Sequence, residues 1–90
     1  MPAWRVEYSD RARRQLRKLD RPVRERIREF IRAIPEFDTP RSKGDPLSGP
    51  LGEFWRYRVG DYRIVCDIQD NVLTVEVLKI AHRSNVYQGR

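Results

Sequence analysis

Apolar and polar residues alternate over residues 3–8, which places Trp4, Val6 and Tyr8 on one face of a short strand. Ser9 follows where a helix cap is needed, and Asp10 sits in the first turn, where the helix dipole favours a carboxylate. Ala12, Leu16 and Leu19 then step at helical spacing, predicting a helix over 10–19. Asp20 and Pro22 restart the chain as a second helix, because proline is tolerated in a first turn. Val23, Ile27, Phe30, Ile31 and Ile34 form one apolar stripe, and Pro35 ends it. The short break between the two predicts a helical hairpin.

The pattern then lapses. Residues 35–53 carry four of the six prolines and three of the five glycines, and predict a long loop. It would be either a mobile flap beside a site or a plain spacer. Three strands follow, over 54–59, 62–68 and 72–80, linked at Gly60-Asp61 and at Asp70-Asn71. Gly60, first in a two-residue loop, suits a type II′ hairpin. The expected order is β-α-α-β-β-β: an N-terminal strand, a helical hairpin and a three-stranded antiparallel meander. That is one α+β domain spanning 1–90, with the helices packed on one sheet face.

The hairpin fixes a register. With Gly60 and Asp61 as the loop, Val59 faces Tyr62, Arg58 faces Arg63, Tyr57 faces Ile64 and Arg56 faces Val65. Side chains alternate across a sheet, so Arg56, Arg58 and Arg63 share one face. Trp55, Tyr57, Val59, Ile64, Cys66 and Ile68 share the other, joined by Leu73, Val75 and Val77, and that face seats the helices. A like-charge pair directly across two strands destabilises a sheet by a few tenths to about 1 kcal/mol. A phosphate held between planar arginine forks reverses the sign of that interaction. The alternative is that Asp67 and Glu76, on the same side by this register, neutralise the arginines in a structural network.

Charge supports an anionic partner. The chain has 19 Lys+Arg against 13 Asp+Glu, a formal +6, and 16 of the cations are arginine. Residues 1–34 hold 11 cations and 5 anions, so the excess is concentrated in the helical third. Such a balance favours a polyanion, nucleic acid first. No apolar run approaches the about 20 residues needed to cross a membrane, and no secretory signal follows the start; a cytoplasmic protein is expected. The single cysteine, Cys66, excludes an internal disulfide and a cysteine-based zinc site, and the single histidine, His82, excludes a two-histidine ribonuclease. No cluster of His, Asp and Glu has metal-ligand spacing, so neither cofactor nor metal is expected. The segment Ile80-Ala81-His82-Arg83-Ser84-Asn85-Val86-Tyr87 adds a further arginine and a phenol able to stack on a base.

Leu47-Ser48-Gly49, Phe54-Trp55-Arg56-Tyr57-Arg58-Val59-Gly60-Asp61-Tyr62-Arg63-Ile64-Val65 and Lys79-Ile80-Ala81-His82-Arg83-Ser84-Asn85-Val86-Tyr87, in that order, resemble the RelE/ParE toxin superfamily, and its RelE branch in particular. The resemblance covers nearly the whole chain. It implies the toxin of a type II toxin-antitoxin system that enters the ribosomal A site of the 70S ribosome, against rRNA, and cleaves the messenger RNA there. It also implies neutralisation by a cognate RelB-like antitoxin, and binding of operator DNA only as the toxin-antitoxin complex. The family's catalytic positions fall on Arg56 and Arg58 of the second strand, Arg63 of the third, Arg83 after the fourth, and Tyr87. The best-known member has lysines at the two second-strand positions and extra residues between the later arginine and the tyrosine. Here Ala81 stands where many relatives have glycine.

The implied reaction is attack of a ribose 2′-hydroxyl on the adjacent phosphodiester, with no metal required. Arg63 and Arg56 would hold the scissile phosphate, Arg83 would sit near the leaving 5′-oxygen, and Tyr87 would orient a base. An arginine stays protonated, so Arg58 is a poor proton acceptor. A lysine crowded by cations could serve, but the second strand offers none. His82, Tyr87 or no base at all remain open. Two other functions share these features. One is a ParE-type inhibitor of DNA gyrase that acts by protein contact. The other is an RNA-binding module without chemistry.

Overall fold

The structure, a computed structural model, describes residues 3–47 and 53–85. Its elements are β1 (Arg5–Tyr8), α1 (Asp10–Arg17), α2 (Arg21–Ala33), β2 (Asp45–Pro46), β3 (Trp55–Val59), β4 (Tyr62–Gln69) and β5 (Thr74–His82). They form one five-stranded sheet of order β1-β5-β4-β3-β2. β1 runs parallel to β5, and the other neighbours are antiparallel. The α+β class and the order strand, two helices, strands are those expected. Two features go beyond the expectation: the parallel pairing of β1 with the last strand, and the two-residue edge strand β2.

The helical stripes do what their spacing predicts. Ala12, Leu16, Ile27, Ile31 and Ile34 are buried against Tyr57, Ile64, Cys66, Val75, Val77 and Ile80. Both helices therefore cover one face of the sheet. Burial pushes the Cys66 thiol far up, so it is an inert core group. Phe30, Phe37 and Tyr57 pack with ring centroids 5.3–6.4 Å apart.

β1 spans four residues beside the nine of β5, which leaves part of the β5 edge unpaired by strand. α1 covers it. The Ser9 hydroxyl donates to the Leu78 carbonyl at 3.0 Å, and the Gln15 side-chain oxygen accepts from the Ile80 amide at 2.7 Å. These bonds satisfy backbone groups that would otherwise template another strand. Ser9 also caps α1, accepting from the Ala12 amide at 3.0 Å. Ser9→Ala removes both contacts and is expected to lower stability by about 1–2 kcal/mol. Chemical denaturation measures this, and a change below the error of the method would refute the double role.

The long loop differs from the expectation in its described part. Residues 34–47 contain two 3₁₀ turns, Ile34–Glu36 and Pro40–Ser42, and then β2. The segment is tied down. Tyr57 donates its hydroxyl to the Pro40 carbonyl, Trp55 Nε1 donates to the Lys43 carbonyl at 2.7 Å, and Arg41 pairs bidentately with Asp70 at 2.9 and 3.0 Å. A free flap is excluded for these residues. Residues 48–52 lie outside the described ones.

The β3–β4 hairpin has the expected register in full. Among the two loop residues only Gly60 has positive φ, at 58°, as a II′ turn requires. The next link is longer than predicted. Asp70–Val72 form a 3₁₀ turn, and Leu73 takes the left-handed conformation at φ 50°, so Leu73 is not part of the strand. Ile68 consequently pairs with Val75 and Cys66 with Val77. The shift is an even number of residues, which preserves the faces.

Candidate nucleic-acid interface

The face opposite the helices is built in rows. Arg58, Arg63 and Ala81 form the row nearest the Gly60 turn. Asp45, Arg56, Val65 and Lys79 form the next. Asp67, Glu76 and Glu7 form the third. The cations thus lie in the first two rows, and the third is acidic. The floor between the cations is apolar. Val65 and Leu47 are buried there, with Phe54 and Ala81 packed against them.

Arg58 stands directly across from Arg63, and their repulsion is relieved by different partners. Arg58 Nη2 reaches Asp45 at 3.5 Å. Arg63 Nη1 donates to the carbonyls of Gly60 and Tyr62, each at 3.0 Å. No carboxylate lies within ion-pair distance of Arg63 among the described residues. Its Nε–H and Nη2 edge therefore remains a donor surface. Arg56 differs: its side chain is only 11% exposed and is gripped by Asp45 through Nε at 3.0 Å and Nη2 at 2.9 Å. Arg83 follows β5 in a turn. Its amide donates to the Asp61 carbonyl at 2.7 Å, and its Nε lies 3.9 Å from the Asp61 carboxylate. Among the described residues, Arg56 and Arg58 share one carboxylate, Asp45, Arg83 lies beside Asp61, and Arg63 meets none.

The proposed neutralising network is not formed. Asp67 instead accepts from Gln69 at 2.9 Å, and Gln69 reaches Glu76 at 3.4 Å. The carboxylate that does meet the arginines, Asp45, belongs to β2. A two-residue strand is too short to show a period, so the sequence carried no signal for it.

Two further placements change the chemistry. His82 pairs with Tyr62 on the helix-bearing side, their rings edge to face at 5.4 Å. Its Nδ1 lies 2.9 Å from Ser84 Oγ and accepts from the Ser84 amide at 3.2 Å. The sheet separates this ring from the arginine rows. Lys79 moves the opposite way. A bulge at Val65/Cys66 leaves Leu78 unpaired, so Val77 pairs with Cys66 and Lys79 with Val65. One inserted residue flips every later side chain to the other face. Strict alternation from Val77 would have sent Lys79 toward the helices, whereas the bulge sends it to the arginine face. The lysine on this face therefore comes from β5 and not from the second strand, which has none. Burial, and secondarily the charge of Arg11, hold its amine below the ordinary lysine value. Tyr87 lies outside the described residues.

A cleft of about 500 Å³ opens on the helix side, floored by Val6, Tyr8, Leu16 and Ile31, and contains none of the predicted site residues. Among the described residues no group of three or more His, Cys, Asp or Glu could hold a metal ion, and no helix is long and apolar enough to cross a membrane.

The comparisons place this small basic α+β domain, with arginines at one end of its open sheet face, among the toxins of type II toxin-antitoxin systems. Residues 6–87 match the family described as the ParE toxin of type II toxin-antitoxin systems, parDE. The chain is 33% identical to toxin RelE of Mycobacterium tuberculosis over 85 residues, covering 94% of this chain and 87% of that one. It is 32% identical to toxin RelG of the same organism, over 92% of this chain and 94% of that one. The toxin-antitoxin complex RelBE2 of M. tuberculosis contains a chain that superposes with a TM-score of 0.81 at 30% identity, covering 93% and 95% of the two chains. A double-arginine mutant of Escherichia coli toxin RelE in the free state gives 0.75 at 25% identity, covering 97% and 93%. The chain belongs to the RelE/ParE superfamily of type II toxin-antitoxin toxins.

Proposed function

We propose that this toxin is a metal-independent, ribosome-dependent endoribonuclease that cuts messenger RNA in the A site by attack of a ribose 2′-hydroxyl on the neighbouring phosphate. The observation that carries this reading is the Arg58–Arg63 cross-strand pair, a like-charge contact that a sheet selected for stability alone would avoid. Arg63, Arg58 and Arg83 would present donor edges to the phosphate, and their charge would stabilise the oxygens as negative charge grows in the transition state. Arg56, fixed by Asp45, would add to the field and hold the strand edge. Tyr87 would stack on or orient a base. A cognate RelB-like antitoxin would be the protein partner, and operator DNA would be bound only by the toxin-antitoxin complex, in the cytoplasm. The relatives' names and the antitoxin complexes among the structural neighbours support this reading.

Translation in vitro on ribosomes programmed with a defined message, followed by mapping of message ends, tests the proposal. New 5′ ends within the A-site codon are expected. Intact message together with cleavage complexes of DNA gyrase would replace the nuclease with a ParE-type gyrase inhibitor.

A further inference from the structure

One carboxylate touches two of the site arginines and holds them unequally. We propose that Asp45 is a positioning residue of this site: it fixes Arg56 throughout and parks Arg58 in the free toxin, then yields Arg58 to a phosphate of the message. This deepens the nuclease reading above and rests on it.

Backbone placement is the first argument. Asp45 stands directly across from Arg56, and Pro46 across from Trp55. Residues directly opposite share a face, so the carboxylate lies on the open side with Arg56 and Arg58. The chain is held on both sides of Asp45. Trp55 Nε1 donates to the Lys43 carbonyl at 2.7 Å, and the Leu47 amide donates to the Phe54 carbonyl at 3.1 Å. The carboxylate is therefore carried on backbone fixed to β3.

The division of its oxygens is the second. Oδ1 accepts from Arg56 Nε at 3.0 Å and from Arg56 Nη2 at 2.9 Å. Oδ2 faces Arg58 Nη2 at 3.5 Å, the outer limit of a hydrogen bond. The Arg56 side chain is 11% exposed and that of Arg58 is 58% exposed. A buried cation is strongly destabilised when its counter-ion is removed, whereas an exposed ion pair is worth little. Arg56 thus keeps Asp45, and Arg58 is free to exchange it for another anion.

The incoming group is the third. A phosphate oxygen is the same kind of acceptor as Oδ2, and it draws arginine donors to shorter distances. Apart from the Asp45 contact, the Arg58 guanidinium meets no partner among the described residues. Arg63, directly across, keeps a donor edge of its own. A phosphate entering between the two relieves their repulsion and replaces the long Asp45 contact. Asp45 therefore acts in two directions. It aims the arginines, which favours the chemical step, and it competes with the phosphate for Arg58, which weakens binding before that step.

Single-turnover cleavage on programmed ribosomes, measured over a range of ribosome concentration, tests the assignment. Asp45→Asn should cut about 10–10²-fold more slowly at saturation, while the half-saturating ribosome concentration does not rise. Asp45→Glu, which keeps the charge on a longer stem, should fall between Asp45→Asn and the wild type. In an Arg58→Ala background the Asp45→Asn change should lower the rate by a factor at least threefold smaller than in the wild type. A thermal melt checks that Asp45→Asn is folded. Independently, and without any change at Asp45, ¹⁵N NMR follows the arginine Nε–H signals as inorganic phosphate is added to the free toxin, with assignments from their loss in Arg56→Lys and Arg58→Lys. The Arg58 signal should shift while the Arg56 signal stays. A saturated rate within threefold of the wild type in Asp45→Asn overturns the assignment and leaves the nuclease standing. So does a loss of the same size in both backgrounds with a raised half-saturating concentration, because that is the behaviour of a strand-edge role alone. Arg56 and Arg58 signals that move together also overturn it. Absence of cleavage by the wild type overturns the nuclease reading and this assignment with it.

Discussion

Arg63→Ala is expected to lower A-site cleavage on the order of 10²–10³-fold, about 2.7–4 kcal/mol of transition-state stabilisation, while the protein stays folded. The two halves of this expectation come from the same geometry. Arg63 has no carboxylate partner among the described residues and donates only to the carbonyls of Gly60 and Tyr62. Removing it costs two hydrogen bonds to backbone, one exposed and one half-buried, and relieves the repulsion with Arg58 across the strand. Those contributions oppose each other, and the net stability change should stay within about 0.5 kcal/mol. Arg63→Lys keeps the charge but loses the fork, and should fall between the alanine variant and the wild type. Quantifying mapped message ends gives the first half, and urea denaturation gives the second. An alanine variant that cuts within threefold of the wild type would remove the phosphate cradle. One that no longer folds would show that Arg63 is structural.

How far the site could be read from the chain depends on which interactions are local. The Gly60-Asp61 loop fixes the β3–β4 register by turn geometry, and with it the shared face of Arg56, Arg58 and Arg63. Helical spacing likewise located the core residues of both helices. The partners that modify those arginines were hidden because they arrive from elsewhere. Asp45 comes from a strand of two residues. Lys79 comes through a bulge that no local pattern marks, and strict alternation assigns it to the wrong face. The same bulge brings Ile80 into the core. β1 joins β5 over a separation of some seventy residues, and only the sheet as a whole decides that pairing. His82 shows the converse. Its chemistry was apparent in its type, but its face was decided by its pairing with Tyr62.

Gly44→Ala is expected to be the most damaging of the single-methyl changes and to weaken the site along with the fold. Gly44 has φ 83°, a region that costs an L-residue about 1–2 kcal/mol. Space is the larger problem. A Cβ there would press into the Arg56 carbonyl oxygen and lie 2.7 Å from Trp55 Nε1 and 3.0 Å from Tyr57 Cδ1. The first of these atoms is β3 backbone and cannot swing away. Relief requires the 43–45 segment to lift from β3, breaking the Trp55 bond to the Lys43 carbonyl and loosening the Asp45 grip on Arg56. Strain plus the lost Trp55 hydrogen bond totals about 3 kcal/mol, which lowers Tm by roughly 10–20 °C in a chain of this size. Gly60→Ala supplies the comparison. Its φ is also positive, at 58°, but the nearest obstacle is the Arg26 guanidinium at 3.2 Å, the mobile end of a long side chain. That variant should cost only the backbone strain, about 1–2 kcal/mol. Calorimetric melts of the two should therefore differ clearly, with Gly44→Ala the lower. Equal melting temperatures would mean that the β2 segment yields without resistance, and that Asp45 does not hold the arginine row in place.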